Sequence, residues 1–352
     1  MRNHTHATSI RKPLLFAALL LALAGGASLL AYAGDVKTES ILFGGRTRTY
    51  ALYVPAGLDG LHKAPLVIVL HGGAGDAERM RHLTKDAFEK LADRDGFVVV
   101  YPEGIGNSWN DGREAEVIPA QRATPNEGRL AVALNQRLTV SKVEPAPPPG
   151  PVDDVGFISE LIDRLVATQN IDPKRVFATG ISNGAMMVNR LGCELSEKIG
   201  AIAPVAGQLP QNLESTCHPA KTVSVLTING TDDPLVPFSG GEIRLGRLGR
   251  SRGTVLSTNE TMKLWAKADG CAEAPEMVRD PAIAPADGTT VRREFFQGCR
   301  EGAEVMLYAV EGGGHAWPGG VQYLPVALIG RSSRQLDAAE TIWNFFRRHR
   351  RY

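Results

Sequence analysis

Arg175-Val176-Phe177-Ala178-Thr179-Gly180-Ile181-Ser182-Asn183-Gly184-Ala185-Met186-Met187-Val188-Asn189-Arg190 is the stretch that decides how this chain is read. Its first five residues are strand formers, its last six have helical composition, and a Gly-x-Ser-x-Gly pentad lies between them. A strand, a sharp turn and a helix in that order hold the serine at the tip of the turn in a strained backbone conformation. Glycines flank it because a Cβ there would strike the neighbouring strand or helix. The helix that follows points its amide dipoles at the serine, which favours negative charge developing beside it. The pentad alone is weak evidence, since Gly and Ser are common; the strand before it and the helix after it give it weight.

In such strand-elbow-helix hydrolases the chain order is Ser, then an acid, then His. Three histidines follow Ser182. His218 comes before the next strand, beside Cys217 and Pro219, too early to follow an acid loop. His349 sits in the charged tail Arg347-Arg348-His349-Arg350-Arg351-Tyr352, which is expected to be solvated. His315 remains, in the loop Glu311-Gly312-Gly313-Gly314-His315-Ala316-Trp317-Pro318-Gly319-Gly320 after the strand-like Val305–Val310. Loops at the carboxyl ends of strands are where open α/β sheets carry their chemistry. The acid is expected after the buried strand Thr222–Ile228, in Asn229-Gly230-Thr231-Asp232-Asp233-Pro234. Either aspartate could cap the turn instead; Asp233 is the preferred acid. Its role would be to accept the Nδ1 proton of His315, fixing the tautomer and stabilising the imidazolium.

Leu66-Val67-Ile68-Val69-Leu70 reads as a fully buried parallel strand running into His71-Gly72-Gly73-Ala74-Gly75-Asp76. A His-Gly-Gly loop in this place offers a backbone amide that pairs with the amide after the nucleophile to hold an oxyanion. The N–H groups of Gly73 and Asn183 are assigned to that hole, with Ala74 as a near alternative. His71 begins the loop and precedes the serine, so it reads as structural.

The chain has 352 residues and a formal charge of +1, enough to bury a full core and without a bias toward nucleic acid or membrane surfaces. Its amino terminus differs in character. Arg2, Arg11 and Lys12 precede an apolar run from Leu14 to Leu30, Ala31-Tyr32-Ala33 offers a small-x-small cleavage pattern, and no acid occurs before Asp35. Residues 1–33 are therefore expected to be a signal peptide, and the mature protein secreted or periplasmic; removing those three basic residues takes the net charge from +1 to −2. An uncleaved membrane anchor is the alternative, for which the run is slightly short; no stable anchor is expected.

Cys193, Cys217, Cys271 and Cys299 show no Cys-x-x-Cys spacing and no His-Glu-x-x-His pattern accompanies them, so no metal site is read. An even number of cysteines in an oxidising compartment suggests two disulfides. Three pairings are possible, and Cys193 with Cys217 and Cys271 with Cys299 is preferred, because each pair brackets one strand-and-loop unit.

Ser40 to Val54 reads as a hairpin about Gly44-Gly45. Beyond it come a strand at 65–70, a helix near 78–94, a strand at 97–101, a helix near 154–168, a strand at 175–179, a helix at 184–192 and a strand at 200–205. Then follow a strand at 222–228, a helix at 257–268, strands near 291–296 and 304–310, and a last helix at 336–348. The alternation predicts an α/β fold, the α/β-hydrolase fold, with a mostly parallel central sheet and helices on both faces. Residues 34–352 are expected to form a single catalytic domain. One segment interrupts the pattern: residues 114–151 carry Pro119, Pro125 and Pro145-Ala146-Pro147-Pro148-Pro149-Gly150-Pro151, and are expected to be a flexible insertion or a lid.

Several motifs together resemble the esterase family that contains secreted polyhydroxybutyrate depolymerases and feruloyl esterases, related to carbohydrate esterase family 1. They are His71-Gly72-Gly73, Tyr101-Pro102 with Ser108-Trp109-Asn110-Asp111-Gly112, Val152-Asp153-Asp154-Val155-Gly156-Phe157, the serine pentad, Asp233-Pro234 with Pro237-Phe238, and Gly313-Gly314-His315-Ala316-Trp317-Pro318-Gly319. By this resemblance Ser182, Asp233 and His315 fall on the triad positions, in agreement with the elimination above. The chain departs from the family in its long 114–151 segment and in Asn229, where relatives often have a histidine. Trp109 and Trp317 read as substrate-facing aromatics, and Asp154 as a helix N-cap. Family members that attack insoluble polyester usually carry a separate surface-binding module, and none follows the helix ending near Arg348, which favours soluble esters.

The resulting expectation is an exported serine esterase acting on feruloyl, acetyl or short hydroxyalkanoate esters through an acyl-enzyme. It would need no metal or organic cofactor, its partner being the ester itself, small or carried on an oligomer or polysaccharide, and no nucleic acid. Alternatives are action on the polyhydroxybutyrate polymer, a peptidase on the same fold and a catalytically silent secreted binding protein.

Overall fold

The computed structural model describes residues 34–58, 60–113, 152–244, 251–283 and 286–351. The expected signal peptide at 1–33 and the insertion at 114–151 lie outside the described residues.

Ten strands form one sheet in the order β1-β2-β4-β3-β5-β6-β7-β12-β11-β10. In sequence these are β1 Val36–Phe43, β2 Arg46–Tyr53, β3 Ala64–Leu70, β4 Val98–Pro102, β5 Ile171–Ile181, β6 Ala201–Val205, β7 Ser224–Gly230, β10 Pro275–Arg279, β11 Thr290–Phe296 and β12 Val305–Glu311. The run from β4 to β12 is parallel, and the antiparallel pairs lie at its two margins. The margin at β1 and β2 is the expected hairpin, closed by Gly44 at φ 55° and Gly45 at φ 75°, a conformation in which glycine carries no Cβ penalty.

Strand β3 shows why the centre is buried on both sides. Leu66, Ile68 and Leu70 point into one apolar cluster and Val67 and Val69 into another, as the period of two requires. The first cluster is covered by α3 (Asp154–Thr168), α4 (Asn183–Glu194) and α5 (Thr258–Ala268), through Phe157, Leu161, Val188, Leu191 and Trp265 among others. The second is covered by α1 (Ala77–Leu83), α2 (Ala87–Asp95) and α7 (Ala338–Phe346), through Met80, Phe88, Leu91, Ile342 and Phe346. A two-stranded ribbon, β8 (Gly241–Arg244) and β9 (Ser251–Val255), packs Ile243 and Val255 with Met186 and Val236 beside the elbow and the acid loop. A short helix, α6 (Val326–Ile329), follows the histidine loop.

Both disulfides have the expected pairing. Cys193–Cys217 ties the end of α4 to the loop before β7, and Cys271–Cys299 joins the segments that follow α5 and β11.

The single helix expected near 78–94 is two. Lys85 and Asp86 are left-handed at φ 59° and 52°, and no glycine or proline announces the break. It serves the histidine loop: Val321 donates its N–H to Leu83 O at 3.0 Å, and Lys85 Nζ donates to Gly319 O at 2.8 Å. The N-cap of α3 is Asp153, whose Oδ1 accepts the Gly156 N–H at 2.8 Å, and not Asp154. Asp154 is fully buried and paired with Arg48 at 2.6 Å. His349, expected in a solvated tail, is buried, with Nδ1 2.8 Å from Phe345 O; desolvation holds its pKa below the ordinary histidine value. The strands β8, β9 and β10 were not expected; the exposed edge strand β10 has no apolar alternation.

Candidate active site

Ser182 stands between β5 and α4 at φ 59° and ψ −121°, a conformation sparsely populated by residues with a side chain. The elbow is built to hold it there. Ser182 N–H donates to Val205 O at 3.0 Å, and Ser182 O accepts from Met186 N–H at 2.9 Å, the first turn of α4. A Cβ on Gly180 would lie 2.7 Å from Leu70 O, and one on Gly184 would lie 2.5 Å from His71 O and 2.6 Å from Leu70 O. Both flanking glycines are therefore forced by close packing against the end of β3, as the sequence pattern predicts.

Two strands further along the same edge, the turn after β7 carries Asp233. Its Oδ1 accepts the N–H groups of Leu235 and Val236, each at 2.8 Å, and its Oδ2 is 2.7 Å from His315 Nδ1. Both residues are buried, at 8% and 3% exposure, so the bond is shielded from water. Asp232 is exposed, with its Oδ1 accepting from Thr231 Oγ1, so of the two aspartates it is Asp233 that bonds His315. Asn229 is buried in the same strand: its Oδ1 accepts the Gly207 N–H at 3.2 Å, and its Nδ2 donates to Thr258 Oγ1 at 3.0 Å. His315 follows β12, next in the sheet to β7. Its N–H donates to Ile329 O, and Tyr323 donates its hydroxyl to His315 O at 3.1 Å. Burial pushes the Tyr323 phenol well above its ordinary pKa, so it remains a donor. Tyr323 was not identified from sequence, since it lies outside the quoted motifs.

The His71–Gly75 loop closes the other side of the elbow. Gly73 is exposed, and a Cβ on it would lie 3.7 Å from Asn183 Cβ, while one on Gly72 would lie 3.5 Å from Ser182 Cβ. Of the two amides considered for the oxyanion hole, the Ala74 N–H is already bonded, donating to Asn107 O at 2.8 Å. His71 is structural: Nδ1 lies 2.8 Å from Gly72 O, Nε2 accepts the Gly104 N–H at 3.0 Å, and burial lowers its pKa, so the ring stays neutral.

The two tryptophans depart from the substrate-facing reading. Trp317 is 1% exposed and packs edge-on against Phe88, with ring centroids 6.0 Å apart. Trp109 is 4% exposed, lies 4.9 Å from the His71 ring, and donates Nε1–H to His71 O at 2.9 Å. Both rings are packed against protein and present no face for stacking on a ligand. Asn183 does more than its backbone suggests. Its side chain is buried and bonded at both ends, to Trp109 and Asp111, a role that the Ser108–Gly112 motif carried without revealing.

A strained serine after β5, an acid–histidine pair after β7 and β12, and a glycine loop after β3 define an α/β-hydrolase-like esterase. The chain belongs to the esterase PHB depolymerase family, related to phospholipases and carboxylesterases: residues 48–111 match the model of the first and 153–263 that of the second. It is 33% identical over 313 residues to a putative esterase, NocK, of Nocardia uniformis subsp. tsuyamanensis, covering 87% of this chain and 81% of the relative. It is 28% identical to feruloyl esterase B of Piromyces equi over 74% of this chain, and 26% identical to poly(3-hydroxyalkanoate) depolymerase C of Paucimonas lemoignei over 58%. The chain spans less than half the length of these last two, 41% and 42%. Acetyl xylan esterase from Aspergillus awamori shares the fold, with a TM-score of 0.51 at 16% identity, over 80% of this chain and 94% of that one.

Proposed function

We propose that the protein is an exported serine carboxylic ester hydrolase acting on feruloyl or acetyl esters or on short hydroxyalkanoate esters. The observation that carries this reading is the buried Asp233–His315 bond on the sheet edge that also bears the strained Ser182. In the first half-reaction His315 takes the Ser182 hydroxyl proton as the oxygen attacks the ester carbonyl, giving a tetrahedral oxyanion held by the amides of Gly73 and Asn183. The C–O bond to the alcohol breaks and His315 returns the proton to the departing oxygen. Water then repeats the sequence on the acyl-enzyme, releasing the acid and restoring Ser182. Asp233 holds the imidazole in the Nδ1–H tautomer throughout.

Export is supported by the paired cysteines, which fit an oxidising compartment, together with the signal-like pattern of residues 1–33.

The test compares the mature wild type with Ser182→Ala on p-nitrophenyl acetate and butyrate, methyl ferulate and hydroxybutyrate oligomers, with a fluorophosphonate probe as a second readout. Hydrolysis and labelling that vanish together in the variant support the serine mechanism, and the ranking of substrates selects the acyl class. Equal activity in both proteins, or labelling of neither, overturns it.

A further inference from the structure

The two amides assigned to the oxyanion hole come from separate loops. Gly73 follows β3 and Asn183 follows β5; beyond the last pair of those strands, Leu70 opposite Gly180, the two loops touch through close backbone packing and are joined by hydrogen bonds to a third segment. We propose that the segment Gly104–Asp111 is a brace that fixes the Gly73 and Asn183 amides relative to one another, with the Asn183 side chain as its clamp. This rests on the serine-esterase reading above.

The brace is bonded to both loops. On the glycine-loop side, Gly104 N–H donates to His71 Nε2 at 3.0 Å, and Trp109 Nε1–H to His71 O at 2.9 Å. There too, Ala74 N–H donates to Asn107 O, and Asn107 Nδ2–H to Gly75 O, each at 2.8 Å. On the elbow side the carboxamide of Asn183 grips the backbone of Trp109 at two points: Oδ1 accepts the Trp109 N–H at 2.8 Å, and Nδ2 donates to Trp109 O at 3.0 Å. The same Nδ2 donates to Asp111 Oδ2 at 2.6 Å, and Oδ1 also accepts from Ser108 Oγ at 3.2 Å. The next residue is anchored from outside, Asn110 N–H donating to buried Asp154 and Asn110 O accepting from Arg190.

The bonds among Asn183, Trp109, Asp111 and His71 are made by buried residues, where losing a partner is expensive and geometry is sharply defined; those of Asn107 and Ser108 lie at the exposed margin of the segment. Asn183 thus contributes its amide to the hole and, through its side chain, takes its position from the brace. Trp109 and Asp111 are positioning residues, touching the loops and not the reacting atoms.

Asn183→Asp is nearly isosteric and keeps the backbone amide, but it turns Nδ2 into an oxygen facing Trp109 O and the Asp111 carboxylate. Trp109→Phe keeps a ring beside His71 and removes the bond to His71 O; it serves where the first variant folds poorly. Since a misplaced catalytic contact costs on the order of 10²-fold and an oxyanion donor 10²–10³-fold, each variant is expected to lower kcat roughly 10- to 100-fold with KM within about threefold. The inhibition constant of a boronic acid, which forms a tetrahedral anion on the serine, should rise by a similar factor. Asn183→Asp combined with Asp111→Asn, which lets residue 111 donate to residue 183, should recover part of the loss. Trp109→Phe with wild-type kcat and boronate affinity overturns the brace, as does a loss that appears in KM while boronate affinity is unchanged. A wild type that neither reacts with fluorophosphonate at Ser182 nor hydrolyses esters overturns the esterase reading instead.

Discussion

Asp269 closes the C-terminus of α5, fully buried, and its replacement by asparagine tests how this fold tolerates a carboxyl group away from the site. Its Oδ1 accepts the Val223 N–H at 3.1 Å, while its Oδ2 has no hydrogen-bond partner among the described residues. Desolvation pushes its pKa up from 3.8 to about 7, against the weaker opposing pull of the Val223 bond and of Arg300. A carboxyl group raised in this way keeps its proton in the folded protein while the unfolded chain releases it. Between the unfolded value near 4 and the folded value near 7 the native state therefore binds more protons, and stability falls as pH rises; above about pH 7 the loss is complete. At about 1.4 kcal/mol per unit, the part of that loss lying between pH 5 and pH 8 is about 2–3 kcal/mol. Asp269→Asn keeps the acceptor for Val223 and cannot ionise, so this slope should disappear. At pH 8 the variant should be more stable than the wild type by about 1–3 kcal/mol, since its amide N–H groups inherit the unpartnered position of Oδ2 and offset part of the gain. Guanidinium denaturation of both proteins at pH 5 and pH 8, disulfides intact, measures the difference. Parallel pH dependence in the two proteins would refute the reasoning, because Asp269 would then be charged, or solvated, in the native state.

Asp233→Asn retains the acceptor for the Leu235 and Val236 amides but presents an N–H to His315 Nδ1, forcing the imidazole proton to Nε2; kcat should fall by about 10⁴ with melting temperature little changed, checked by steady-state kinetics and thermal unfolding. Asp154→Ala leaves the Arg48 guanidinium, 2% exposed and 3.9 Å over the Phe157 ring, without its buried partner. That change should cost about 3–5 kcal/mol, read by denaturant unfolding, and Asp154→Asn should cost less because Asn110 keeps an acceptor. Cys193→Ala with Cys217→Ala opens a loop with a sequence separation of 24; the expected loss is about 3 kcal/mol, with the specific activity of the folded fraction retained.

Where backbone chemistry is local, the sequence was legible. The apolar runs of β3 and β5 and the two elbow glycines follow from sterics acting over a few residues, and α3 has the bounds its pattern suggests, 154–168. The disulfide pairing was reachable because each pair closes a short excursion of the chain. The misses share a different cause. The break at Lys85–Asp86 lies against the histidine loop, more than 200 residues away in sequence, as the Lys85–Gly319 bond records. Asp153 and Asp154 are adjacent and identical in type, and only the second is buried, against Arg48 from β2 and the Asn110 N–H. The tryptophans were read from their neighbourhood in sequence, but a residue two positions from His315 can be buried away from it, as Trp317 is when it packs on Phe88. The β8–β9 ribbon acquires its apolar contacts from Met186 and Val236, which no local pattern displays.

The same distinction separates the two carboxylates of the acid loop. Neighbouring aspartates on a turn are equivalent to any argument from composition, yet burial of one demands compensation and exposure of the other does not. Asp233 has that compensation from the chain itself: two amides donate to one oxygen and the imidazole faces the other, groups already oriented before any substrate arrives. Because Leu235 and Val236 are the residues next along the loop, their amides move with Asp233, and the carboxylate cannot rotate away from His315 without breaking both bonds. On the histidine side, the His315 N–H is tied to Ile329 and its carbonyl to Tyr323, which restrains the backbone that carries the imidazole. The acid–histidine contact is therefore held by bonds within its own two loops, whereas the oxyanion hole proposed opposite would be held by a third segment, the proposed brace at Gly104–Asp111. Substitutions in the brace and in the acid loop should then combine as independent losses in kcat, since the two share no hydrogen-bond partner.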